Sequence, residues 1–322
     1  MVKVRDRLLD LDMVKVLAML FVLVGHILTS FISFQRQYYV PDYFFQLKDY
    51  VYSFHMPAFV AVSGAVYYYV RFNLGKYNIF RGYLLRKTKR LLIPYVMFSI
   101  LMIGTMWYLG AVDDNLQSFI FRDYILSQDP RHLWYLLMLF WSFVLVRIID
   151  KQLDKYPIIV FPVLVVVYLF STYIPNLFQI NTLCKYFFFF YCGFLFMKYI
   201  ELIPNIRWYH FVLWFLISII MCSMKMPYII TAICGMIWLY CLANLLSNTK
   251  IKESVIFNGL LKNSYGIYLW HPMFIYIILS HTKSIPINPE ILVLVVFVFV
   301  LLVSYFLTGL SRTLKIQWFI GE

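Results

Sequence analysis

Two ionisable residues in the first long apolar stretch, Lys15 and His26, have the spacing to share one chemical site. They are eleven residues apart, which is three helical turns plus a small offset at about 100° per residue, so both lie on one helix face. The rise of the helix separates them by about 16 Å. Ionisable groups inside a bilayer are costly and therefore indicate a functional site. The alternatives are a lysine that extends its amine to the headgroups and a histidine satisfied by a neighbouring helix.

A second histidine, His55, occurs in the next apolar stretch, within SFHMPAFVAVSG. Because consecutive spans cross in opposite directions, we expect His55 at a depth close to that of His26, where the two imidazoles can share a cavity. One then acts as a general base, while the other orients it or binds the acceptor. Pro57 loosens this helix and makes room for such a cavity. Ser63 and Gly64 end the run, and close helix packing through small residues is the favoured interpretation of that pair.

A strongly basic run, RKTKRLLIPY from Arg86 to Tyr95, comes directly before another apolar stretch. One interpretation is a topology anchor that also attracts anionic lipid. The other is a binding mouth for a cytoplasmic anionic cofactor, because clustered Lys and Arg side chains form charge-assisted hydrogen bonds with phosphate oxygens. The run itself is compatible with both.

Two later motifs combine a histidine with a tryptophan. The first is HLWYL, in which an aromatic anchor at the membrane interface already explains Trp134 next to His132. The second is NSYGIYLWHPMF, which places His271 in the cytoplasmic half of its predicted span, with helix packing as the alternative to a chemical role. The sequence contains no HExxH zinc pair, no GxSxG elbow and no glycine-rich phosphate loop. None of the five cysteines forms a CxxC pair, so no metal is expected.

Membrane helices must position these residues. Of the 322 residues, 63% are hydrophobic and 13% are charged, with a mean hydropathy of +0.78, whereas soluble domains are about half apolar and a quarter charged. Apolar stretches long enough to cross about 30 Å of hydrocarbon recur along the whole chain. The predicted spans are 13–33, 50–72, 91–109, 132–149, 157–174, 183–199, 208–223, 227–246, 265–281 and 290–310. We therefore expect an all-α membrane protein of about ten transmembrane helices, with a single integral-membrane domain over residues 1–322 and no soluble domain.

The formal net charge of +13 is distributed unevenly along the chain. With the amino terminus assigned to the cytoplasm, most Lys and Arg residues fall in cytoplasmic segments, as the positive-inside rule requires when both termini are cytoplasmic. The positive charge thus sets the topology and does not indicate nucleic acid as a partner. Membrane lipids are expected partners, in a bacterial plasma or inner membrane.

Taken together, these motifs resemble the membrane-bound acyltransferases of acyltransferase family 3, and most closely the fucose 4-O-acetylase-like branch. That family has a basic residue, ten intervening residues and a histidine in its first span, which Lys15 and His26 match. It also has an SG motif in the second span, which Ser63 and Gly64 match. The likeness extends over most of the chain.

Three further elements follow in the order that the family shows. Lys87 and Arg90 match a basic RxxR element, His132 and Trp134 match an HLW element, and His271 ends a YLWH element. Lysine replaces the first arginine of RxxR, so bidentate phosphate contact is lost at that position. Some members also carry an extracytoplasmic hydrolase-like domain. This chain is expected to lack such a domain, so its membrane domain is expected to hand the group directly to an acceptor or to a separate partner.

The resemblance implies an O-acetyltransferase that moves an acetyl group from acetyl-CoA to a hydroxyl of a cell-surface polysaccharide or its lipid-linked precursor. The CoA end is expected near Lys87, Arg90 and Lys15. His26 is expected to act as a general base or as a nucleophile that relays the acyl group, with His55 as the second catalytic histidine. The remaining motif residues are expected to support the substrate or the structure: Ser63, Gly64, His132, Trp134 and His271.

Two alternatives remain beside this interpretation. A transporter or flippase of a lipid-linked sugar would also have many spans and buried histidines. It would neither consume acetyl-CoA nor release CoA, and this distinguishes the two classes. Within the same chemistry, a succinyl donor could replace the acetyl donor.

Overall fold

The computed structural model describes residues 2–34, 40–112, 115–282 and 287–322. In these ranges the chain is helical, with π and 3-10 turns beside the α-helices and no β-strand. The α-helices, in chain order, are α1 (Val2–Phe34), α2 (Asp42–Tyr68), α3 (Phe80–Lys87), α4 (Ile93–Tyr108), α5 (Leu116–Phe119), α6 (Trp134–Lys155), α7 (Pro157–Phe170), α8 (Ile180–Lys198), α9 (Trp208–Ser223), α10 (Tyr228–Ser247), α11 (Val255–Thr282) and α12 (Pro289–Thr313).

Each predicted span falls on one of these helical segments. Among the described residues, six helices are long and apolar enough to cross a membrane: Leu8–Ser33, Phe80–Tyr108, Arg131–Lys155, Ile180–Lys198, Tyr228–Ser247 and Pro289–Thr313. Pro157–Tyr173 and Trp208–Ser223 are apolar but shorter. Helices α2 and α11 are long enough to cross a membrane, at 27 and 28 residues. Tyrosine, histidine and other polar residues, however, interrupt their apolar runs. The all-helical class is confirmed, whereas the count of ten and the side of each terminus stay predictions.

The described chain divides into two compact units. The first unit, residues 2–62 and 199–310, holds α1, most of α2, and α9 to α12 up to its last turn. In it α1 packs against α10 and α11, and α9 packs against α10. The rings of Phe54 and Trp238 meet edge to face with centroids 5.0 Å apart. Gly235 allows this approach, because a Cβ there would lie 2.2 Å from the Cβ of Phe54. The position of α2 against α10 is therefore set by close packing.

A buried carboxylate also joins α1 to α10 in this unit. Asp10 is 2% exposed and accepts hydrogen bonds from the Tyr240 hydroxyl at 3.1 Å and the Asn244 amide at 2.8 Å. The Ser247 hydroxyl donates a third bond. Because a buried charge is tolerated only when its oxygens are bonded, this set of donors holds the start of α1 in place. No sequence motif indicated it.

The second unit, residues 63–198 and 311–322, holds the end of α2 and helices α3 to α8. In it α8 packs against α6 and α7, α3 packs against α6, and α4 packs against the 3-10 turn Gln317–Ile320. A Cβ on Gly64 would lie 1.9 Å from the carbonyl oxygen of Phe190. Only glycine permits the backbones of α2 and α8 to meet so closely.

Three π-helical segments lie in the second unit: Tyr69–Asn73, Thr88–Leu92 and Ile120–Ile125. π-Helices are rare and often occur at functional sites, because the extra residue in the turn reorients side chains. Here the segments carry Arg71, Arg90 and the pair Arg122–Asp123. Arg71 and Arg90 are considered below.

Candidate active site

Three histidines converge in the first unit. The ring centroids of His26 on α1 and His271 on α11 are 5.1 Å apart, in an edge-to-face arrangement. His55 and His271 are buried, with 1% and 0% exposure, whereas His26 is half-buried. Of these three residues, His26 is the one that keeps some accessible surface.

The backbone determines the tautomers of the two buried histidines. The Nδ1 atom of His55 lies 2.6 Å from the carbonyl oxygen of Val51, and Nδ1 of His271 lies 3.2 Å from that of Ile267. A carbonyl oxygen can only accept a hydrogen bond, so each Nδ1 carries the proton and donates it. In the neutral rings Nε2 is then the basic nitrogen. Both imidazoles are held in an orientation that presents Nε2 as a base or acceptor.

Tyr52, a residue that the sequence did not single out, contacts the rings of both His26 and His55. Its ring centroid is 6.2 Å from that of His26 and 4.9 Å from that of His55. The Thr29 hydroxyl donates a hydrogen bond to the Tyr52 hydroxyl at 3.1 Å. The phenol is thus positioned by Thr29 and can donate its own proton onward. Its position one turn before His55 on α2 was the signal available in the sequence.

The helix that carries His271 is longer than the predicted span. The span predicted at 265–281 placed His271 in the cytoplasmic half of its helix. Helix α11 begins earlier, at Val255, because polar residues around Asn263 belong to the helix although they are not apolar enough to mark a span. The ring packs against that of His26, and the depth of His271 in a membrane stays a prediction.

Lys15 lies on the same continuous helix as His26. Helix α1 runs unbroken over Val2–Phe34, so the predicted separation of about 16 Å along the axis holds. Lys15 is half-buried, and Asp12 lies one turn before it. An acidic neighbour at this spacing stabilises the ammonium locally. A role for Lys15 toward a cofactor stays a prediction.

In the second unit, aromatic rings surround the ammonium of Lys87. Its Nζ lies 3.5 Å from the ring centroid of Phe143, 5.6 Å from that of Tyr77 and 5.7 Å from that of Tyr83. Such cation–π contacts are each worth about 0.5–2 kcal/mol. Tyr83 is one turn earlier on α3, so Lys87 points to the same inward face of that helix. Arg90, three residues later, is exposed. Of the two side chains it is therefore the better placed to contact a phosphate group of a bound ligand.

A buried ion cluster lies beside this basic run. Asp150 is 2% exposed and accepts hydrogen bonds from Arg71 Nε at 2.8 Å and from the Tyr67 hydroxyl at 2.9 Å. A guanidinium nitrogen of Arg147 is 3.7 Å from the same carboxylate. Two arginines share one aspartate, so the cluster is positively charged. The sequence treated both arginines only as topology signals.

The segment after α2 closes over this cluster. Arg147 Nε donates to the carbonyl oxygen of Tyr77 at 3.1 Å, and an Arg71 guanidinium nitrogen donates to the Asn78 side chain at 2.7 Å. Burial raises the pKa of Tyr77 above its ordinary value, and the positive charges of Arg86 and Arg90 offset part of this rise. Tyr77 is a phenol in a strongly positive environment, and this environment suits an anionic ligand.

The remaining motif residues also lie in the second unit. The Ser63 hydroxyl is hydrogen-bonded to Tyr135 of α6, whose hydroxyl also interacts electrostatically with Arg90. His132 is buried at 2% exposure in a 3-10 turn before α6. The ring of Trp134 packs against Tyr186 with centroids 5.0 Å apart. Ser63 and Arg90 are thus brought to one tyrosine, whereas Trp134 packs against α8.

No metal site is evident in the described ranges, where no three or more His, Cys, Asp and Glu side chains are arranged to hold an ion. The described cysteines are all free thiols. The expectation that no metal takes part stays a prediction.

The long apolar helices and the converging histidines define a multi-pass membrane protein with a candidate catalytic centre in its helices. The chain matches acyltransferase family 3, described as an acyltransferase domain, over residues 8–309. It therefore belongs to that family and is a membrane acyltransferase. No curated protein and no solved structure gives a significant match. The fucose 4-O-acetylase-like branch stays a prediction.

Proposed function

We propose that the protein transfers an acetyl group from acetyl-CoA to a sugar hydroxyl of a cell-surface polysaccharide or its lipid-linked precursor. The observation that carries the proposal is the contact between the ring of His26, a partly exposed residue, and the ring of His271. Family membership supplies acyl transfer as the reaction class. The protein would act in a bacterial plasma or inner membrane with both termini in the cytoplasm, since acetyl-CoA is cytoplasmic.

In the first route His26 is a general base. Its unprotonated ring nitrogen takes the proton of the sugar hydroxyl while the hydroxyl oxygen attacks the thioester carbonyl carbon. The carbon–sulfur bond then breaks, and the imidazolium returns the proton to the CoA thiolate. His271 and Tyr52 both pack against the His26 ring, and Tyr52 also contacts His55, so these side chains can orient the base and limit its motion. The products are the acetyl ester and free CoA.

In the second route His26 is a nucleophile. A ring nitrogen attacks the thioester carbonyl carbon and the carbon–sulfur bond breaks. The proton on the other ring nitrogen passes to the CoA thiolate, so CoA leaves as the thiol and the acetyl group is held on the neutral imidazole. The sugar hydroxyl attacks this acetyl-imidazole and transfers its proton to the released ring nitrogen. The Tyr52 hydroxyl, positioned by Thr29, is suited to donate a hydrogen bond to the developing oxyanion in either route.

The CoA phosphates are assigned to the basic run after Tyr77. Arg90 is exposed there, and the buried cluster of Arg71, Arg147 and Asp150 adds to the positive potential. Lys87 adds positive charge from its position among the rings of Phe143, Tyr77 and Tyr83. Lys15 is a further candidate for binding CoA. A basic mouth attracts the several negative charges of CoA.

Replacing His26 with Ala tests the catalytic assignment. Surface glycans from cells that carry His26→Ala should lack O-acetyl groups by NMR, because loss of a general base lowers rates by about 10²–10⁴-fold. His281→Ala is the matched control, since it likewise removes a histidine from a helix, but one that is exposed. Full acetylation with His26→Ala at unchanged protein level would reject the role.

The donor assignment is tested by the double variant Lys87→Ala/Arg90→Ala. It should raise the KM for acetyl-CoA by about tenfold or more, since the exposed guanidinium of Arg90 and the nearby charge of Lys87 are both lost. The control is Lys250→Ala/Lys252→Ala, which removes the same net charge in the turn Lys250–Glu253. An unaltered KM in the first variant would remove the phosphate assignment.

Donor consumption also separates the proposal from a flippase of a lipid-linked sugar. Membranes containing the protein should release free CoA from acetyl-CoA when the acceptor is present, and a flippase would release none. A parallel incubation with succinyl-CoA identifies the acyl group. A preference for succinyl-CoA would make the protein an O-succinyltransferase by the same steps.

A further inference from the structure

Residues 317–322 form a short segment, the docking segment, that lies against the turn carrying Arg90. Within it, the 3-10 turn Gln317–Ile320 packs against α4 and against the π-helical segment Thr88–Leu92. All of these residues belong to the second unit. None of the sequence motifs includes the docking segment, and the proposed function gives it no role.

Apolar packing and an ion pair hold the docking segment in place. Ile320 is 0% exposed, and the ring centroids of Phe319 and Phe98 on α4 are 5.2 Å apart. Two guanidinium nitrogens of Arg312 donate to the two carboxylate oxygens of Glu322, at 2.6 and 2.7 Å. A bidentate pair of this kind fixes direction as well as distance. The segment is therefore fastened both by burial and by charge.

Gly321 makes the closest approach between the docking segment and Arg90. A Cβ on Gly321 would lie 2.4 Å from the carbonyl oxygen of Arg90 and 2.9 Å from Cγ of Pro94. Gly321 also has a φ of +73°, in the left-handed region that glycine adopts without steric cost. Any other residue at this position would strain the backbone and separate the segment from Arg90.

The turn that carries Arg90 lacks the regular bonds of an α-helix. The fourth residue after Arg90 is Pro94, which has no N–H, so the Arg90 carbonyl cannot make the usual bond to that position. The N–H of Ile93 bonds to the carbonyl of Thr88, five residues earlier. Because α-helical bonds do not specify this turn, packing from outside helps to determine where its backbone lies. The docking segment supplies such packing at the carbonyl of Arg90 itself.

We propose that the docking segment positions the guanidinium of Arg90 for the phosphate groups of the acyl donor, with Gly321 as the positioning residue. Gly321 acts through the backbone of Arg90 and not on the donor. Ordinary contact between heavy atoms begins near 3.5 Å, so a methyl group at Gly321 would push the turn and the segment apart by about 1 Å. Hydrogen bonds to phosphate weaken steeply when distance and angle change on this scale. The inference rests on the proposed function, because it concerns the donor site of that reaction.

The variant Gly321→Ala tests this inference, with Gly110→Ala as the matched control. Gly110 has a similar left-handed φ of +63°, but a Cβ there would meet no atom of the described residues within 4 Å. Both variants carry a similar backbone strain, and only Gly321→Ala displaces the backbone of Arg90. The difference between them isolates the contact.

The assay uses the full chain in proteoliposomes, with acetyl-CoA and polysaccharide purified from cells that lack the gene. CoA release gives kcat and both KM values, and thermal unfolding reports the fold. We expect Gly321→Ala to raise the KM for acetyl-CoA by about tenfold, because a charge-assisted hydrogen bond is weakened. Its kcat and its acceptor KM should stay within about twofold of wild type, as should all three values for Gly110→Ala.

A cycle with Arg90→Ala distinguishes positioning from a general effect on the fold. If Gly321 acts through the guanidinium, Gly321→Ala adds nothing once that group is gone. The double variant should then have the same KM for acetyl-CoA as Arg90→Ala alone. Multiplicative increases from the two substitutions would overturn the inference.

Glu322→Gln decides the question if Gly321→Ala does not fold. It weakens the ion pair with Arg312 and leaves the backbone conformation unchanged. We expect the KM for acetyl-CoA to rise about two- to threefold, as suits a partly exposed pair. Glu253→Gln, at an exposed glutamate in the turn Lys250–Glu253, is its control. An unaltered KM in Glu322→Gln would then refute the positioning role.

The outcomes separate this inference from the proposed function. If the wild type releases no CoA from acetyl-CoA in the presence of acceptor, the proposed function fails and the inference fails with it. If the wild type releases CoA and Gly321→Ala has an unchanged KM for acetyl-CoA, the acetyltransferase stands and the positioning role is refuted. Equal rises in Gly321→Ala and Gly110→Ala would trace the effect to backbone strain and would also overturn it. A rise confined to Gly321→Ala, and absent in the Arg90→Ala background, supports it.

Discussion

The contact between His26 and His271 predicts that the two imidazoles work as one unit. Their ring centroids are 5.1 Å apart, and side chains in contact show coupling free energies of about 0.5–3 kcal/mol in double-mutant cycles. That coupling corresponds to about 2- to 150-fold in rate. We expect His26→Asn to lower kcat by about 10²–10⁴-fold and His271→Asn to lower it by about tenfold. The double variant should resemble His26→Asn alone, because a base that is gone cannot be oriented.

Asparagine is the appropriate replacement at position 271. On the same helix, the side chain of Asn263 already donates to the carbonyl oxygen four residues before it, at 2.9 Å. An asparagine at His271 can therefore keep the bond to Ile267 while the Nε2 atom is lost. The substitution removes the imidazole chemistry and leaves the helix bonded as before.

The assay is the initial rate of CoA release at saturating acetyl-CoA and acceptor, with thermal unfolding measured to confirm the fold. His281→Asn is the control, because His281 makes the same bond to a carbonyl four residues earlier, at 2.8 Å, but is exposed. Its rate should stay within about twofold of wild type. Independent, multiplicative losses from His26→Asn and His271→Asn would refute the coupled pair. So would a wild-type rate in His271→Asn.

Two further predictions concern stability, measured as thermal unfolding in detergent. Gly64→Ala should destabilise the protein by about 1–3 kcal/mol, since its Cβ would lie 1.9 Å from a backbone oxygen; Gly104→Ala, with no neighbouring atom within 4 Å, should not. Equal melting temperatures for these two variants would contradict the packing argument. Asp150→Ala should cost about 1.5–3 kcal/mol, because it leaves the partly buried Arg71 and Arg147 without their carboxylate. A melting temperature within a degree or two of wild type would show that this ion cluster is not structural.

Local pattern determined much of the architecture. Runs of apolar residues long enough to cross a bilayer place helices without reference to any distant residue, because backbone groups in lipid must be satisfied within the segment. Helical periodicity likewise put Lys15 and His26 on one face of α1, and the unbroken helix agrees with this. The order of short motifs predicted the family that the match over residues 8–309 shows.

Tertiary packing decided which of these residues meet. A hydrophobic pattern identifies the face that a helix buries but not the helix that covers it, so the contact of His271 with His26 was not predicted and Tyr52 was not considered. The inward turn of Lys87 depends on Phe143 of a distant helix. The return of the chain along α4, marked by the bond from Tyr95 to Tyr124, has no local signature. Each of these features arises from contacts between segments far apart in sequence, where side-chain shape and the bonding of buried polar groups select one arrangement.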